Sequence, residues 1–476
     1  MNYQQQPPLD DHKSPFFLQE KVRLFREKTK FCFDLADIEA DRIVKEAGEK
    51  YLIRRPDKVE SQAAYDKRLE SAVLVNAYAD GIDSYVSMVG AAGITMSDEA
   101  KNDRTEIVYE QADMAGNNLE TFSKKVFREG VGRGAAFVVV DGPQPGRPMS
   151  RGEAAANGIR PWLSVFGADQ LLGWKEEEGR LVEVRYYWVE TTDDTGYSEE
   201  AVWKCREYAI EGGRVASRTW LWNGSLSEPE EVTLSIKNIP VIPFLPGPEK
   251  GIMLSYPPAA RLANLTKAYY NSWSLQQNFG VIARTPLFTV IGATVKEVFH
   301  SLASVFSLDK SKQEVEAKYV EPTSVGSEFG WKDLEKIENA FRYWGVDLER
   351  QDGTVLATTK IIDNNRMVEK VRSWSGELEK TLQNTLAVYE EYYGKKFPDN
   401  GVTVGTEYGV PSLTNEQVQL IKLVSDAQGV GGEQLLELLK TYVPQLSDVS
   451  WEDVQEGLIQ TDQTTTFTGI DTGTPL

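Results

Sequence analysis

The sequence predicts an α+β protein, with helices on either side of a β-rich middle. Three observations carry that expectation. Stretches with apolar residues at three-and-four spacing precede Val131 and follow Pro257. Between Pro161 and Phe244 the pattern changes to aromatic and β-branched runs bounded by turn residues. Between Trp331 and Gly394 the chain reads helix, short polar break, long helix.

Residues 1–15, with Gln-Gln-Gln-Pro-Pro followed by two aspartates, read as a mobile arm. A charged helical stretch then covers about Phe17 to Gly48, ending before Arg55-Pro56. A second covers Ser61 to Val89, with Leu69, Val73, Ala77 and Ile82 partly keeping helical spacing. Leu119 to Val131 predicts a further helix ended by Gly132 and Gly134, and Ala136 to Val140 a buried strand before Asp141-Gly142-Pro143. After a loop rich in Gly, Pro and Arg come strand candidates at 162–166, 182–189, 201–208 and 219–222, then a proline-punctuated extended run at 239–247.

Pro257-Pro258 suits a helix start, and that helix reaches about Phe279. Between Ala259 and Phe279 its only charges are Arg261 and Lys267, with no acid; the other polar positions are Asn, Gln, Ser and Thr. Leu262, Leu265, Tyr269 and Trp273 form its apolar stripe, which can pack on a neighbouring subunit. A mixed α/β insert follows, then a helix from Trp331 with balanced charges: Lys332, Lys336 and Arg342 against Asp333, Glu335 and Glu338. The polar break covers 347–362.

From about Asp363 to Tyr393 a helix on the order of 45 Å long is expected. Its stripe is Met367, Val371, Trp374, Leu378, Leu382, Leu386 and Tyr389, and Gly394 supplies the stop. Three short helices follow Ser412, with capping boxes at 414–417 and 450–453, and the Thr-rich tail after Gln460 reads as loose.

With 476 residues, 41% hydrophobic and 10% aromatic, the chain has ample core material, enough for roughly two to four domains or subdomains. No basic-then-apolar start predicts a secretion signal, and no run of ~18 apolar residues predicts a membrane span. Cys32 and Cys205 are too few and too far apart for a zinc site or a disulfide framework, which suits a reducing compartment. The net charge of −20 argues against tight, sequence-specific DNA binding. It is compatible with a surface past which DNA slides, where strong phosphate binding would act as a brake.

His12 and His300 are the only histidines, and neither stands in a catalytic or metal-ligating frame. Gly130-Val-Gly-Arg-Gly134 follows a helix and precedes a strand, the reverse of a dinucleotide-binding turn, so its glycines read as turn residues. No cofactor is expected and no enzymatic activity is predicted. The 11 tryptophans and 20 tyrosines, with many carboxylates, leave open a carbohydrate-active enzyme, although their spacings suit core packing.

The element order resembles the portal protein of tailed bacteriophages, the ring at the unique head vertex; another virion structural protein, a capsid or tail component, is the other alternative. The phrases that carry the resemblance are Lys124 to Val140, Pro257 to Phe279, Val281-Ile-Ala-Arg-Thr-Pro286, Trp331 to Trp344 and Gly353 to Lys360, where Thr358-Thr-Lys360 departs from the family's usual Thr-Ala-Thr-like helix start. The resemblance implies a wing (16–256), first stem helix (257–280), clip (281–328), second stem helix (329–346), tunnel loop (347–358), long wing helix with return strand (359–411), helical crown (412–460) and flexible tail (461–476).

It further implies a homo-oligomeric ring, expected to be a dodecamer, in the virion, assembled in the host cytoplasm and without membrane contact. Its partners would be double-stranded DNA, held transiently, the large terminase subunit, the major capsid or scaffold protein and a head-completion adaptor. Arg350, Gln351 and Lys360 would then lie at the tunnel loop. Arg261, Lys267, Lys332 and Lys336 would face the channel from the stem, and Arg284, Lys310 and Lys312 would meet a partner from the clip.

Overall fold

The computed structural model describes residues 6–56, 59–142, 160–193, 199–283, 287–291, 316–320, 324–346 and 357–406. Helix α1 spans Glu20–Ala36 and buries Val22, Phe25, Thr29, Cys32 and Leu35 at helical spacing. It stops at Asp37, whose backbone is extended and whose carboxylate accepts the Glu39 N–H at 2.9 Å. The single helix expected over 17–48 is therefore two, with α2 at Ala40–Glu46 and a 3-10 turn at Gly48–Lys50. A short carboxylate that bonds nearby backbone breaks a helix that apolar periodicity alone would continue.

The stretch 61–89 is divided in the same way. Ser61 caps α3 (Gln62–Ser71) by accepting from Ala64 N, and Asn76 caps α4 (Ala77–Ala92) by accepting from Ala79 N.

Strand β1 (Ile94–Met96) and helix α5 (Asp103–Glu110), which opens on an Asn102–Thr105 capping box, were not expected from sequence. Helix α6 (Leu119–Arg133) is capped by Asn118 and ends at Gly134, in the left-handed region at φ 88°. Only glycine fits there: a Cβ would stand 2.2 Å from the Ser255 carbonyl oxygen.

Strand β2 (Ala136–Asp141) is the centre of a three-stranded antiparallel sheet, between β3 (Trp162–Gly167) and β9 (Val241–Phe244), in register Val138↔Val165 and Val138↔Ile242. Its residues from Ala136 to Val140 are fully buried. Successive side chains feed opposite cores: Ala136, Val138 and Val140 join the helical core, while Phe137 and Val139 join the β-side core.

Strands β4 (Leu171–Glu177), β5 (Arg180–Asp193), β6 (Glu199–Glu211), β7 (Arg214–Trp222) and β8 (Glu230–Thr233) form an antiparallel meander. One face buries Trp174, Val184, Tyr186, Tyr208 and Val215, and rings stack from Phe137 to Phe166 to Tyr186 with centroids 4.6 and 4.2 Å apart. The other face carries Leu172, Cys205, Trp203, Trp220 and Trp222, and Leu9, Phe16 and Leu18 cover it.

Within the segment expected as a mobile arm (1–15), Leu9 and Pro15 contact this sheet. Among residues 6–15, the Pro15 carbonyl accepts from Arg185 at 3.0 Å and the Leu9 carbonyl from Leu18 N at 2.9 Å, and the adjoining Phe16 is fully buried. A polar composition did not reveal that a tryptophan-rich sheet face needed a cover.

Helix α7 (Ala260–Ala283) is followed by the antiparallel pair β10 (Leu287–Ile291) and β11 (Glu316–Val320), then by α8 (Ser324–Arg342). Both helices run further into the region expected as the clip (281–328). Helix α9 covers Ala357–Tyr392, 36 residues, and starts before the expected Asp363. Thr358, Thr359, Ile361 and Ile362 are weak helix formers in isolation, but adding residues to an existing helix is cheap.

All seven residues of its expected stripe are buried. Gly394, at φ 65°, closes it with Lys395 N donating to the Glu390 carbonyl at 3.0 Å. Strand β12 (Val402–Val404) returns to pair with β1. No helix among the described residues is long and apolar enough to cross a membrane. The expected crown, its two capping boxes and the tail lie outside the described residues.

Candidate functional site

The helix pair α7 and α8 is antiparallel. Trp273 meets Trp331 edge-on with centroids 6.0 Å apart, and Tyr269 packs on Phe341 at 5.6 Å while its hydroxyl donates to Glu338 Oε1 at 2.9 Å. Further out, the Gln276 side chain lies against Gly330, where a Cβ would fall 2.0 Å from Gln276 Oε1 and displace it. The inner end is equally tight: a Cβ on Gly81 of α4 would be 2.7 Å from Leu262 and 3.1 Å from Val346.

The stripe of α7 thus packs inside its own subunit. Leu262 and Tyr269 are buried, and Leu265 and Trp273 pack partly buried against the same core. The sequence left a neighbouring subunit open as the partner of this stripe, and the chain's own core takes that place.

The neutral polar face of α7 also has internal partners. Asn271 donates to the Tyr51 carbonyl at 2.9 Å and accepts from Ile53 N at 2.8 Å. Ser274 accepts from Arg68 at 3.3 Å, and Arg68 forms a buried ion pair with Glu60. Lys267 donates to the Lys50 carbonyl at 3.0 Å and lies over the Phe31 and Tyr51 rings. These anchoring roles were missed from sequence. Amides and hydroxyls that suit a channel wall suit backbone carbonyls and buried arginines equally well.

Arg261, Lys332 and Lys336 are exposed. The two lysines lie one helical turn apart on the outer face of α8, whose inner face is Leu334, Ile337 and Phe341. Phe329 and Trp331 of the same helix, and Tyr343 in the turn that follows it, are 68%, 53% and 53% exposed. The junction to α9 is built by Lys370, whose ammonium sits 3.7 Å from the Trp344 ring centroid, and by Tyr85, which donates to the Trp344 carbonyl at 2.7 Å and packs on Trp374. Arg284, Lys310, Lys312, Arg350 and Gln351 lie outside the described residues. Lys360 falls within α9, but its side chain lies outside them.

Among the described residues no group of three or more His, Cys, Asp or Glu side chains is placed to hold a metal ion. Burial raises the Cys32 thiol to about 11 and pushes Cys205 higher still, so neither is a ready nucleophile. The tryptophans at 174 and 374 are core residues, and those at 203, 220 and 222 lie on the arm-covered sheet face.

Residues 258–393, which include the helix pair and all of α9, match a family model described as a domain of unknown function (DUF4055). A search of curated proteins finds no match. Among solved structures, the chain is similar to one in the virion of a native gene transfer agent particle, with 12% identity and a TM-score of 0.40, covering 84% of this chain and 98% of that one. It is also similar to a chain in the neck of an empty particle of this kind, computed with C6 symmetry, at 13% identity and a TM-score of 0.39, over 76% of this chain and 89% of that one. A chain in the neck of the native particle, computed with C12 symmetry, is similar at 12% identity and a TM-score of 0.38, over 83% and 98% respectively.

Proposed function

We propose that this chain is the subunit of a portal ring, a non-enzymatic channel at the unique capsid vertex through which double-stranded DNA is packaged and later ejected. The carrying observation is the sequence of parts from 260 to 392: two antiparallel helices joined through a two-stranded ribbon, then a 36-residue helix rooted in the main core. In this reading these parts are stem, clip, stem and long helix, the order of the portal family that the sequence resembles.

Two features support a ring. Two large aromatic side chains on α8, Phe329 and Trp331, and Tyr343 just past its end stay exposed in the single chain, and a neighbouring copy in a closed heterologous ring would cover them. The exposed cations of the helix pair are few, in a chain of net charge −20, which suits a wall that touches phosphates weakly.

In this reading the ring has twelve copies and sits among major capsid or scaffold subunits. Arg350, Gln351 and Lys360 lie where a tunnel loop meets DNA. The clip, with Arg284, Lys310 and Lys312, docks the large terminase subunit first and head-completion or tail adaptors afterwards. Negative-stain electron microscopy of the purified chain is expected to show rings with a central channel. A monodisperse monomer at high concentration, with no rings at any ionic strength, would refute the proposal.

A further inference from the structure

Three Asn-Gly steps occur in the sequence. Asn157-Gly158 lies outside the described residues, and the other two are held in opposite ways. Asn223-Gly224 stands in the turn that leaves β7, and both residues are exposed. Gly224 has φ 103°, in the region that favours glycine, and a Cβ there would meet nothing within 4 Å. Its N–H has no hydrogen-bond partner among the described residues. The Asn223 side-chain oxygen accepts from the Ser225 hydroxyl at 3.3 Å.

Asn400-Gly401 is the contrast. Gly401 is buried, its N–H donates to Gln383 Oε1 at 3.0 Å, and a Cβ on it would stand 2.6 Å from the Phe397 ring. A backbone amide can attack the side-chain amide of the asparagine before it, because the two close a five-membered ring. The attacking nitrogen must be reachable by hydroxide and free to lose its proton. Gly224 N is open on both counts, whereas Gly401 N is engaged and enclosed.

We propose that Asn223 is a site of spontaneous deamidation, with Gly224 N as the nucleophile and the Ser225 hydroxyl assisting. Gly224 N gives its proton to hydroxide and bonds to Asn223 Cγ. Ser225 stabilises the negative oxygen that forms at Oδ1 on the way. The side-chain nitrogen then leaves as ammonia, taking a proton from water and regenerating the hydroxide. Water opens the resulting succinimide at either carbonyl. Breaking the new bond to Cγ leaves aspartate, and breaking the bond to the backbone carbonyl leaves isoaspartate, with an extra carbon in the main chain. No electrons are exchanged, and water is the co-reactant. Either product adds a negative charge to the turn, and isoaspartate shifts the Trp222–Leu226 bridge out of register. The site belongs to a single chain, so the inference stands apart from the ring proposal.

The test incubates the full-length chain at mildly alkaline pH in water enriched in ¹⁸O. Its peptides are then read by mass spectrometry with electron-transfer fragmentation, which separates isoaspartate from aspartate. Residue 223 is expected to convert with ¹⁸O incorporated, faster as pH rises, and with isoaspartate among the products. In the native chain it should outpace residue 400 by about tenfold or more, since the hydrogen bond on Gly401 N must break first. In urea, where that protection is lost, the gap should close. Ser225→Ala, in the exposed turn, should slow conversion at 223 by about threefold or more. An intact Asn223 after prolonged incubation, equal native rates at 223 and 400, an undiminished gap in urea, or an unchanged rate in Ser225→Ala would overturn the inference.

Discussion

Arg68 and Glu60 form a buried ion pair beneath α7, with Arg68 Nε 2.7 Å from Glu60 Oε1 and side chains only 2% and 4% exposed. Arg68 Nη2 reaches the second carboxylate oxygen at 2.9 Å, and Arg55 N adds a third donor at 3.0 Å. The hydrogen bonds from Arg68, above all, hold the Glu60 carboxyl down at about 2. Because that lies below the ordinary value of 4.5, the pair stabilises the fold fully above pH 4.5 and loses its contribution as pH falls toward 2. Arg68→Ala, which strands the carboxylate, should cost about 3–5 kcal/mol in denaturant unfolding at pH 7. Equal stability of the variant and wild type at neutral pH would show that the pair is not a stability element.

Two glycines should respond in opposite directions. At Gly81 a side chain would strike Leu262 and Val346, so Gly81→Val is expected to destabilise by about 1–3 kcal/mol. At Gly376, inside α9, a Cβ meets nothing within 4 Å. Gly376→Ala should therefore stabilise by about 0.5–1 kcal/mol. Thermal unfolding of the two variants checks both signs, and a loss of stability in Gly376→Ala would place an unseen neighbour there.

Leu382 is fully buried midway along the α9 stripe, whereas Lys380 lies on its outer face in an exposed pair with Glu377. Leu382→Ala should cost about 2–5 kcal/mol and Lys380→Ala less than about 1 kcal/mol. Similar urea midpoints for the two variants would contradict the orientation of the helix.

Cys32 and Cys205 are both buried, and burial raises both thiols. Ellman's reagent should find neither thiol in the native chain at pH 8 and both after unfolding. Rapid native labelling of either one would show that α1 or the arm opens readily.

Replacing Arg261, Lys332 and Lys336 together by Gln should leave folding and ring assembly unchanged. If these side chains face DNA, the salt dependence of its association should flatten, by up to ~0.9 in log–log slope for each phosphate that is no longer neutralised. Arg350→Ala with Gln351→Ala should likewise leave rings intact and change packaging or retention of DNA. Failure of ring assembly in the latter variant would make that loop an assembly element.

The sequence showed most of the fold because its signals are local. The α9 stripe, the α6–β2 pair with Gly134 between them, and the long strands of the meander all follow from spacing within one segment. Strands β1 and β12, three residues each, were illegible because each is defined by a partner some three hundred residues away. The site was legible in part. The sequence indicated the helix pair and its exposed cations Arg261, Lys332 and Lys336. It did not indicate that Lys267, Asn271 and Ser274 are anchored to residues 50–68.

What the sequence determined by itself is which segments are helix or strand and which stripe each one must bury, since side-chain periodicity follows from backbone geometry. The tertiary structure decided what each stripe and each polar face meets. Leu262 and Tyr269 turn into their own subunit, Phe16 covers a tryptophan-rich sheet face, and Arg26 reaches the Leu171 carbonyl and the Tyr187 ring. An apolar or amide side chain satisfies any complementary surface. Its partner is set by which elements pack against it, and one segment's sequence does not contain that information.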